Sequence, residues 1–182
     1  MDELEDLILK AKNKDKNAFE QIIFSIENDL YRIAQTRLNN IEDINDAIQE
    51  TVIIAFKSIK KLRSPIYFKT WIIKILINEC NKIYKSRSKN LKLFNKIIKN
   101  KNEYTDDYID IIEQKIELEN ILNLLNYDEK LAITLHYNEK YSIAQIAELL
   151  NICPNTIRSR IARAKEKIKA YNNGGVTNGR AK

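Results

Sequence analysis

Arginine and lysine recur near the end of the chain at spacings that would place them on a helix able to bind duplex DNA. Residues 154–171 carry apolar side chains at steps of four, three and four, which is the period of a helix with one buried face. Away from this stripe, the only acid is Glu166, and the cations are Arg158, Arg160, Arg163, Lys165, Lys167 and Lys169. Such side chains contact phosphates and base edges in the major groove. The segment is therefore predicted to read DNA.

The residues before this helix predict a helix-turn-helix. Ser142 is placed to cap a short helix, and Gln145, three residues on, completes a capping box. The apolar pattern breaks at residues 151–153, and Pro154 suits the first turn of a new helix, where its missing N–H costs nothing. In this motif the second helix enters the major groove.

A second polar and aromatic segment, residues 46–87, suits single-stranded DNA. One predicted helix has a polar face that carries Lys74, Asn78, Asn81 and Lys85. Aromatic residues flank it, and cations beside aromatics on which bases stack are what single-strand binding requires. Trp71 is better explained as core, and Phe68 is open between core and base contact. Tyr67, in a predicted loop beside Pro65, is the better candidate for touching a base.

These segments need helices to position them, and the composition favours an all-α fold. Gly and Pro are scarce (three and two), and no strand-like alternation is sustained. We predict four helices in the first domain. One spans 3–12, one begins after a cap at Asn17, one runs from near Asp43 to before Pro65, and one spans 67–85. Two small helical domains joined by a flexible linker result. The predicted boundaries are 1–88 for the first domain, 89–110 for the linker, 111–171 for the second domain (helices 111–125 and 128–138, then the helix-turn-helix) and 172–182 for a disordered tail. A helical piece at 91–98 within the linker is left open.

The charge distribution supports an anionic partner. The chain of 182 residues has a formal charge of +6; residues 1–90 and 128–182 are basic, whereas 91–127 are acidic. Cys80 and Cys153 lie far apart and are predicted to be reduced packing residues. No apolar run is long enough for a membrane span and the acidic start is no signal peptide, so a cytoplasmic location is predicted.

Two stretches of the chain resemble bacterial sigma factors. The first is similar to region 2 and consists of DAIQET at 46–51, AF at 55–56 and FKTWI at 68–72. The second is similar to region 4 and consists of DEK at 128–130, the helix at 141–150 and TIRSR at 156–160. Both regions in this order, with only a linker between them, resemble the extracytoplasmic-function class. The resemblance implies a factor that binds core RNA polymerase and directs promoter-specific transcription initiation.

The resemblance also implies which residues make contacts. Three residues would face the clamp helices of the polymerase β′ subunit: Asp46, Gln49 and Glu50. The loop at 61–67 and the helix after it would hold the melted minus-ten element through Arg63, Tyr67, Lys69, Lys74, Asn78, Asn81, Lys82 and Lys85. The second helix of the helix-turn-helix would read the minus-thirty-five element through Asn155, Thr156, Arg158, Ser159, Arg160, Arg163 and Lys167. The β flap and an anti-sigma factor are further implied partners, whereas no cofactor, metal or small-molecule substrate is implied.

The sequence departs from the family pattern at four positions. Asn81 stands where an acid is common, and Cys153 stands where Ser usually caps the recognition helix. His136 and Tyr137 replace more typical hydrophobic and Arg or Tyr residues. These changes do not alter the predicted fold, but they prevent a prediction of the promoter sequence.

Two other classes of function remain open at this point. A stand-alone helix-turn-helix regulator would share the C-terminal motif, but it gives no reason for the segment from Asp46 to Glu50. An enzyme has little support, because His136 is the only histidine and no nucleophile or phosphate-loop motif is present. Four acids could in principle bind a hard cation: Asp106, Asp107, Asp110 and Glu113. They are better explained as part of a solvated linker.

Overall fold

The structure is a computed structural model that describes residues 3–95 and 124–175. All regular structure in these two ranges is helical, so the prediction of an all-α fold is confirmed. The chain divides into two compact units, Met1–Lys92 and Leu93–Lys182. Three predicted features lie outside the described residues, either wholly or in large part: the linker with its acidic group, the helix over 111–125 and the end of the tail.

The described part of the first unit contains four helices and two short 3₁₀ segments. The helices are α1 (Glu3–Lys12), α2 (Lys16–Gln35), α3 (Ile41–Ser58) and α4 (Phe68–Asn95). The 3₁₀ segments, Ile59–Lys61 and Pro65–Tyr67, make up most of the connection between α3 and α4. As predicted, α3 ends before Pro65; its last residue is Ser58, and the 3₁₀ segment Ile59–Lys61 follows it directly.

Two predicted helix ends in this unit are wrong. Asp15, not Asn17, caps α2, and its side chain accepts a hydrogen bond from the Ala18 N–H at 3.1 Å. Asn17 lies inside the first turn instead. At the other end, α4 continues ten residues past the predicted Lys85, to Asn95, because no Gly or Pro interrupts this stretch. The first seven residues of the predicted linker are therefore helical.

The core of the first unit is built from the apolar faces of all four helices. Ile22, Leu30 and Ile33 of α2 are almost fully buried, as are Ile72 and Leu76 of α4. Helix α1 packs on α2 and on both 3₁₀ segments. The Lys12 ammonium donates a hydrogen bond to the Leu62 carbonyl at 2.7 Å, which ties α1 to the connection before α4.

The second unit contains three described helices. They are α5 (Tyr127–Ile133), which continues as a π-helical turn (Thr134–Asn138), α6 (Ile143–Leu150) and α7 (Pro154–Gly175). The predicted helix over 128–138 is thus present in two forms, and the predicted start of a helix at Pro154 is confirmed. Because α7 continues to Gly175, four residues of the predicted tail are helical.

Capping residues set the geometry of the helix-turn-helix. Ser142 and Gln145 form the predicted capping box, with side-chain to backbone hydrogen bonds of 2.8 and 3.2 Å. Asn151 ends α6 in the left-handed conformation (φ 54°), which asparagine tolerates better than most residues. Both α5 and α6 then pack on α7, and Ile146 and Ile157 are fully buried.

No helix in residues 3–95 or 124–175 is long and apolar enough to cross a membrane.

Candidate nucleic-acid interface

The first turns of α7 present a polar, exposed surface. Its four predicted base-reading and phosphate-binding residues are exposed: Asn155, Thr156, Arg158 and Ser159. The Arg158 guanidinium donates a hydrogen bond to the Asn155 side-chain oxygen at 2.6 Å, and the Ser159 hydroxyl donates to the Asn155 carbonyl at 2.9 Å. Arginine and asparagine are suited to bidentate contacts with guanine and adenine. The arrangement therefore holds donors and acceptors of the base-reading type together on an exposed surface.

The remaining three predicted DNA contacts of α7 pair with acids of α5. Arg160 is bonded to the Asp128 carboxylate at 2.7 Å, and only 17% of its side chain is exposed. Lys167 donates to Glu129 Oε2 at 2.7 Å, and Arg163 Nε lies 3.7 Å from Glu129 Oε1. We call these five residues the α5–α7 charge cluster. The sequence prediction did not anticipate it.

Glu129 is the centre of this cluster. Its side chain is only 2% exposed, and Oε2 also accepts the Asn126 N–H at 3.1 Å as part of a capping box. Burial alone would raise the pKa of Glu129. The hydrogen bonds from Lys167 and Asn126 and the charges of Lys167 and Arg163 outweigh that effect, so the pKa is lowered from 4.5. The carboxylate is therefore ionised at neutral pH and attracts both cations.

The π-helical turn also contacts α7. The Lys165 ammonium lies 5.1 Å from the centre of the Tyr137 ring, which is within the range of a cation–π interaction. His136 Nδ1 lies 2.9 Å from the Tyr141 carbonyl oxygen, so this nitrogen carries the proton and donates it. His136 and Tyr137, two departures from the family pattern, therefore serve to connect the turn with its neighbours.

The predicted polymerase-binding residues share one exposed face of α3. Asp46, Gln49 and Glu50 are all exposed and follow each other at steps of three and one. On the opposite side of the helix, Ala47 and Thr51 are fully buried. The three residues are thus available together to a protein partner.

The connection before α4 separates an exposed aromatic residue from a buried one. Tyr67 is 62% exposed, whereas Phe68 is 1% exposed and its ring lies 5.9 Å from that of Trp71. Phe68 is therefore a core residue, which resolves the choice that the sequence left open. Arg63 is exposed in the same connection. Anchored by Phe68, this segment presents Tyr67 to solvent.

Helix α4 brings most of its predicted DNA contacts to one groove. The groove is open, has a volume of about 500 Å³ and is lined by Ile54, Ile75, Asn78, Glu79, Asn81, Lys82 and Lys85. Lys74 is exposed but does not line it. Lys69 forms an ion pair of 2.6 Å with Asp29 of α2, and Lys82 forms one of 2.7 Å with Glu79. The groove thus combines two isoleucines with two amides, two cations and one acid, Glu79.

Two contacts at the far part of α4 were missed from the sequence. The Arg37 guanidinium lies 3.7 Å from the centre of the Tyr84 ring, and Arg87 pairs with Asp43 of α3 at 2.6 Å. Asp43 is buried, and this ion pair fixes the first turn of α3 against α4. Tyr84 is thus engaged by an arginine of its own unit.

The two cysteines differ in their surroundings. Cys80 is buried in the first unit, and burial raises the pKa of its thiol to about 12. Cys153 is exposed directly before α7. Within the described residues, no group of three or more His, Cys, Asp or Glu side chains is placed to hold a metal ion.

Comparison with known proteins links both units to one kind of protein. Residues 24–90 match the family described as Sigma-70 region 2, and residues 115–168 match Sigma-70, region 4. The ECF RNA polymerase sigma-E factor of Haemophilus influenzae is 29% identical over 90% of this chain and 92% of its own length. RNA polymerase sigma factor SigV of Bacillus subtilis is 26% identical over 86% and 92%.

Solved structures share the fold. CnrH, solved in complex with the cytosolic domain of CnrY, superposes with a TM-score of 0.68 at 19% identity, covering 95% of this chain and 99% of that one. The sigma factor RpoE of Bartonella quintana, solved with the anti-sigma factor NepR, gives 0.70 at 19% identity, covering 85% and 96%.

Proposed function

The chain belongs to the sigma-70 family, in the extracytoplasmic-function class, and from this premise we infer that it binds core RNA polymerase and directs promoter-specific transcription initiation. The observation that carries this function is the presence of both region 2 and region 4 in one chain. A stand-alone regulator needs only the helix-turn-helix, and it would leave the whole region 2 unit without a role. Sigma factors are initiation factors and not enzymes.

We propose that the second unit recognises the upstream promoter element. Asn155, Thr156, Arg158 and Ser159 are exposed at the start of α7, where the recognition helix of such a motif meets base edges. Contacts of this kind set the position of the polymerase on the duplex. The second unit is also the proposed partner of the β flap.

The first unit is proposed to hold the melted minus-ten strand. Unstacking a base costs a few kcal/mol, and stacking it on an aromatic side chain returns about 1–3 kcal/mol. Tyr67 is exposed to receive such a base, and the groove beside α4 would accommodate the strand that follows. Its lining residues Asn78, Asn81, Lys82 and Lys85 supply amides and positive charge. Arg63, Lys69 and Lys74 would add phosphate contacts outside the groove.

The two units would act as separate contact modules. We propose the predicted order of region 2 (1–88), linker (89–110), region 4 (111–171) and tail (172–182), with two adjustments: the helix of region 2 continues to Asn95 and that of region 4 to Gly175. A protein partner of the anti-sigma class, such as the one named with the Bartonella quintana sigma factor, is proposed to cover these modules when the factor is inactive. The proposed site of action is the cytoplasm, where core polymerase works, and no cofactor is required.

The exposed face of α3 is proposed to contact the clamp helices of the β′ subunit. Replacing Asp46 and Glu50 together by Lys should then weaken core binding, because reversing two charges removes the electrostatic complementarity of this face to its partner. Each 1.4 kcal/mol corresponds to about a ten-fold loss of affinity. Both residues are exposed, so thermal unfolding of the variant should be almost unchanged.

A titration of labelled protein with core polymerase measures this loss. The matched control replaces Glu20 and Glu27 by Lys, which makes the same charge change at exposed positions of α2. Equal core affinity of the α3 variant and the control would remove Asp46 and Glu50 from the interface.

A further inference from the structure

The α5–α7 charge cluster removes positive charge from the helix that is proposed to read DNA. Lys167 is bonded to Glu129 at 2.7 Å, and Arg160 is bonded to Asp128 at the same distance. By contrast, Arg158 at the start of α7 is exposed and bonded only to the neutral amide of Asn155 among the contacts described here. The charges of Lys167 and Arg160 are therefore compensated by carboxylates, whereas the charge of Arg158 faces a neutral amide.

We propose that Glu129 withholds Lys167 from DNA phosphates, so that the recognition helix contacts DNA through its first turns and binds non-promoter DNA weakly. This inference rests on the proposed function, in which α7 is the recognition helix. Glu129 acts here as a positioning residue, because it affects DNA binding only through Lys167.

The burial of Glu129 makes its hold on Lys167 strong. With Lys167 in place the carboxylate is 2% exposed, so a lysine that turns towards DNA must first break a charge-assisted contact of 2.7 Å. Leaving a buried carboxylate without its cation carries a large desolvation cost. Arg163 offers partial compensation only, because its Nε lies 3.7 Å from the carboxylate, beyond hydrogen-bond distance. A DNA phosphate must therefore compete with the Glu129 carboxylate for Lys167.

The consequence is weaker sequence-independent binding of DNA. Phosphate contacts supply affinity that does not depend on sequence, and each one makes binding more sensitive to salt. A lysine kept from phosphates lowers affinity for all DNA but leaves the base contacts of the first turns unchanged. Promoter and non-promoter binding then weaken by the same factor, and the base contacts supply a larger share of the affinity that remains.

Four full-length proteins test this inference: the wild type, Glu129→Gln, Lys167→Ala and the double variant. Fluorescence anisotropy with a short non-promoter duplex, in salt from about 50 to 200 mM, gives the slope of log affinity against log salt. Glutamine also occurs in capping boxes, so Glu129→Gln keeps the N-terminal cap of α5. Because the carboxylate no longer holds Lys167, this variant should bind more tightly, with a slope steeper by about one phosphate contact, or roughly 0.9.

Lys167→Ala and the double variant show whether Lys167 is the source of the steeper salt slope in Glu129→Gln. Lys167→Ala alone should keep the wild-type slope, and in the double variant the extra slope of Glu129→Gln should vanish. Glu148→Gln, at an exposed position of α6, makes the same charge change without releasing Lys167 and should leave the slope near that of the wild type.

Three outcomes overturn the inference. A shallower slope for Lys167→Ala alone would show that Lys167 already contacts phosphate, and this result does not depend on how Glu129→Gln folds. An unchanged slope for a folded Glu129→Gln, or no DNA binding by any of the proteins at low salt, would equally remove the role of Glu129. The assay contains neither polymerase nor promoter, so it can fail while the core-binding titration succeeds, and the two failures are distinguishable.

Discussion

The neighbouring aromatic residues Tyr67 and Phe68 should respond to truncation in opposite ways. Phe68 is 1% exposed, and its replacement by Ala should lower the free energy of unfolding by about 3–5 kcal/mol, the usual cost of emptying a buried phenylalanine site. Tyr67 is 62% exposed, and the same replacement should change stability by no more than about 0.5 kcal/mol. One residue supports the segment before α4, and the other is presented by it.

The effect on DNA binding should be reversed. If a base of the melted strand stacks on Tyr67, Tyr67→Ala removes about 1–3 kcal/mol, which corresponds to roughly a five-fold to 150-fold loss of affinity. Tyr67→Phe keeps the ring and should keep most of the affinity. Phe68→Leu fills most of the core site, so it should retain both folding and strand binding.

The assay is binding of a single-stranded minus-ten oligonucleotide to the complex of each variant with core polymerase. Unfolding by urea, followed through the fluorescence of Trp71, the only tryptophan, reports stability in parallel. Wild-type strand affinity in Tyr67→Ala would refute base stacking on this residue. A stable Phe68→Ala with weak strand binding would show that Phe68, and not Tyr67, contacts the strand.

Two further predictions concern ionisable groups. At neutral pH a maleimide should label Cys153 rapidly and Cys80 only after unfolding. The reason is that Cys153 is exposed, whereas Cys80 is buried and burial raises the pKa of its thiol to about 12. Mass spectrometry measures the labelling, and equal labelling of both cysteines in the native protein would contradict this prediction. The pKa of Glu129 is lowered from 4.5 in the folded state, so its stabilisation of the second unit is fully present above about pH 4.5 and is lost as the pH falls through the folded-state value. Calorimetry at several pH values should therefore show a stability gap between wild type and Glu129→Gln that closes in acid, and a constant gap would contradict the ion pair.

Local signals in the sequence were sufficient for much of the fold. The bounds of α1, the capping box of Ser142 and Gln145 and the start of α7 at Pro154 were predicted because each depends on residues within one turn. The cap of α2 was wrong because Asp15 and Asn17 are equally good capping residues by type. The end of α4 was wrong because a polar, breaker-free stretch is compatible with both helix and linker.

The candidate site was less predictable for a different physical reason. Surface exposure follows helical period, so the outward positions of Asp46 and Arg158 could be expected from spacing alone. The pairing of Arg160 with Asp128 joins residues 32 positions apart, and that of Lys167 with Glu129 joins residues 38 apart. Such contacts depend on how α5 and α7 pack against each other. The helical period of each segment contains no information about that packing.

Transcription in vitro tests the central claim most directly. Purified core polymerase is incubated with fragmented genomic DNA, with and without this protein, and the 5′ ends of the transcripts are mapped. The protein alone should enable initiation at a defined set of sites that share two sequence elements, one upstream and one at the melted region. A requirement for another initiation factor at those sites would contradict a sigma factor and indicate a stand-alone regulator.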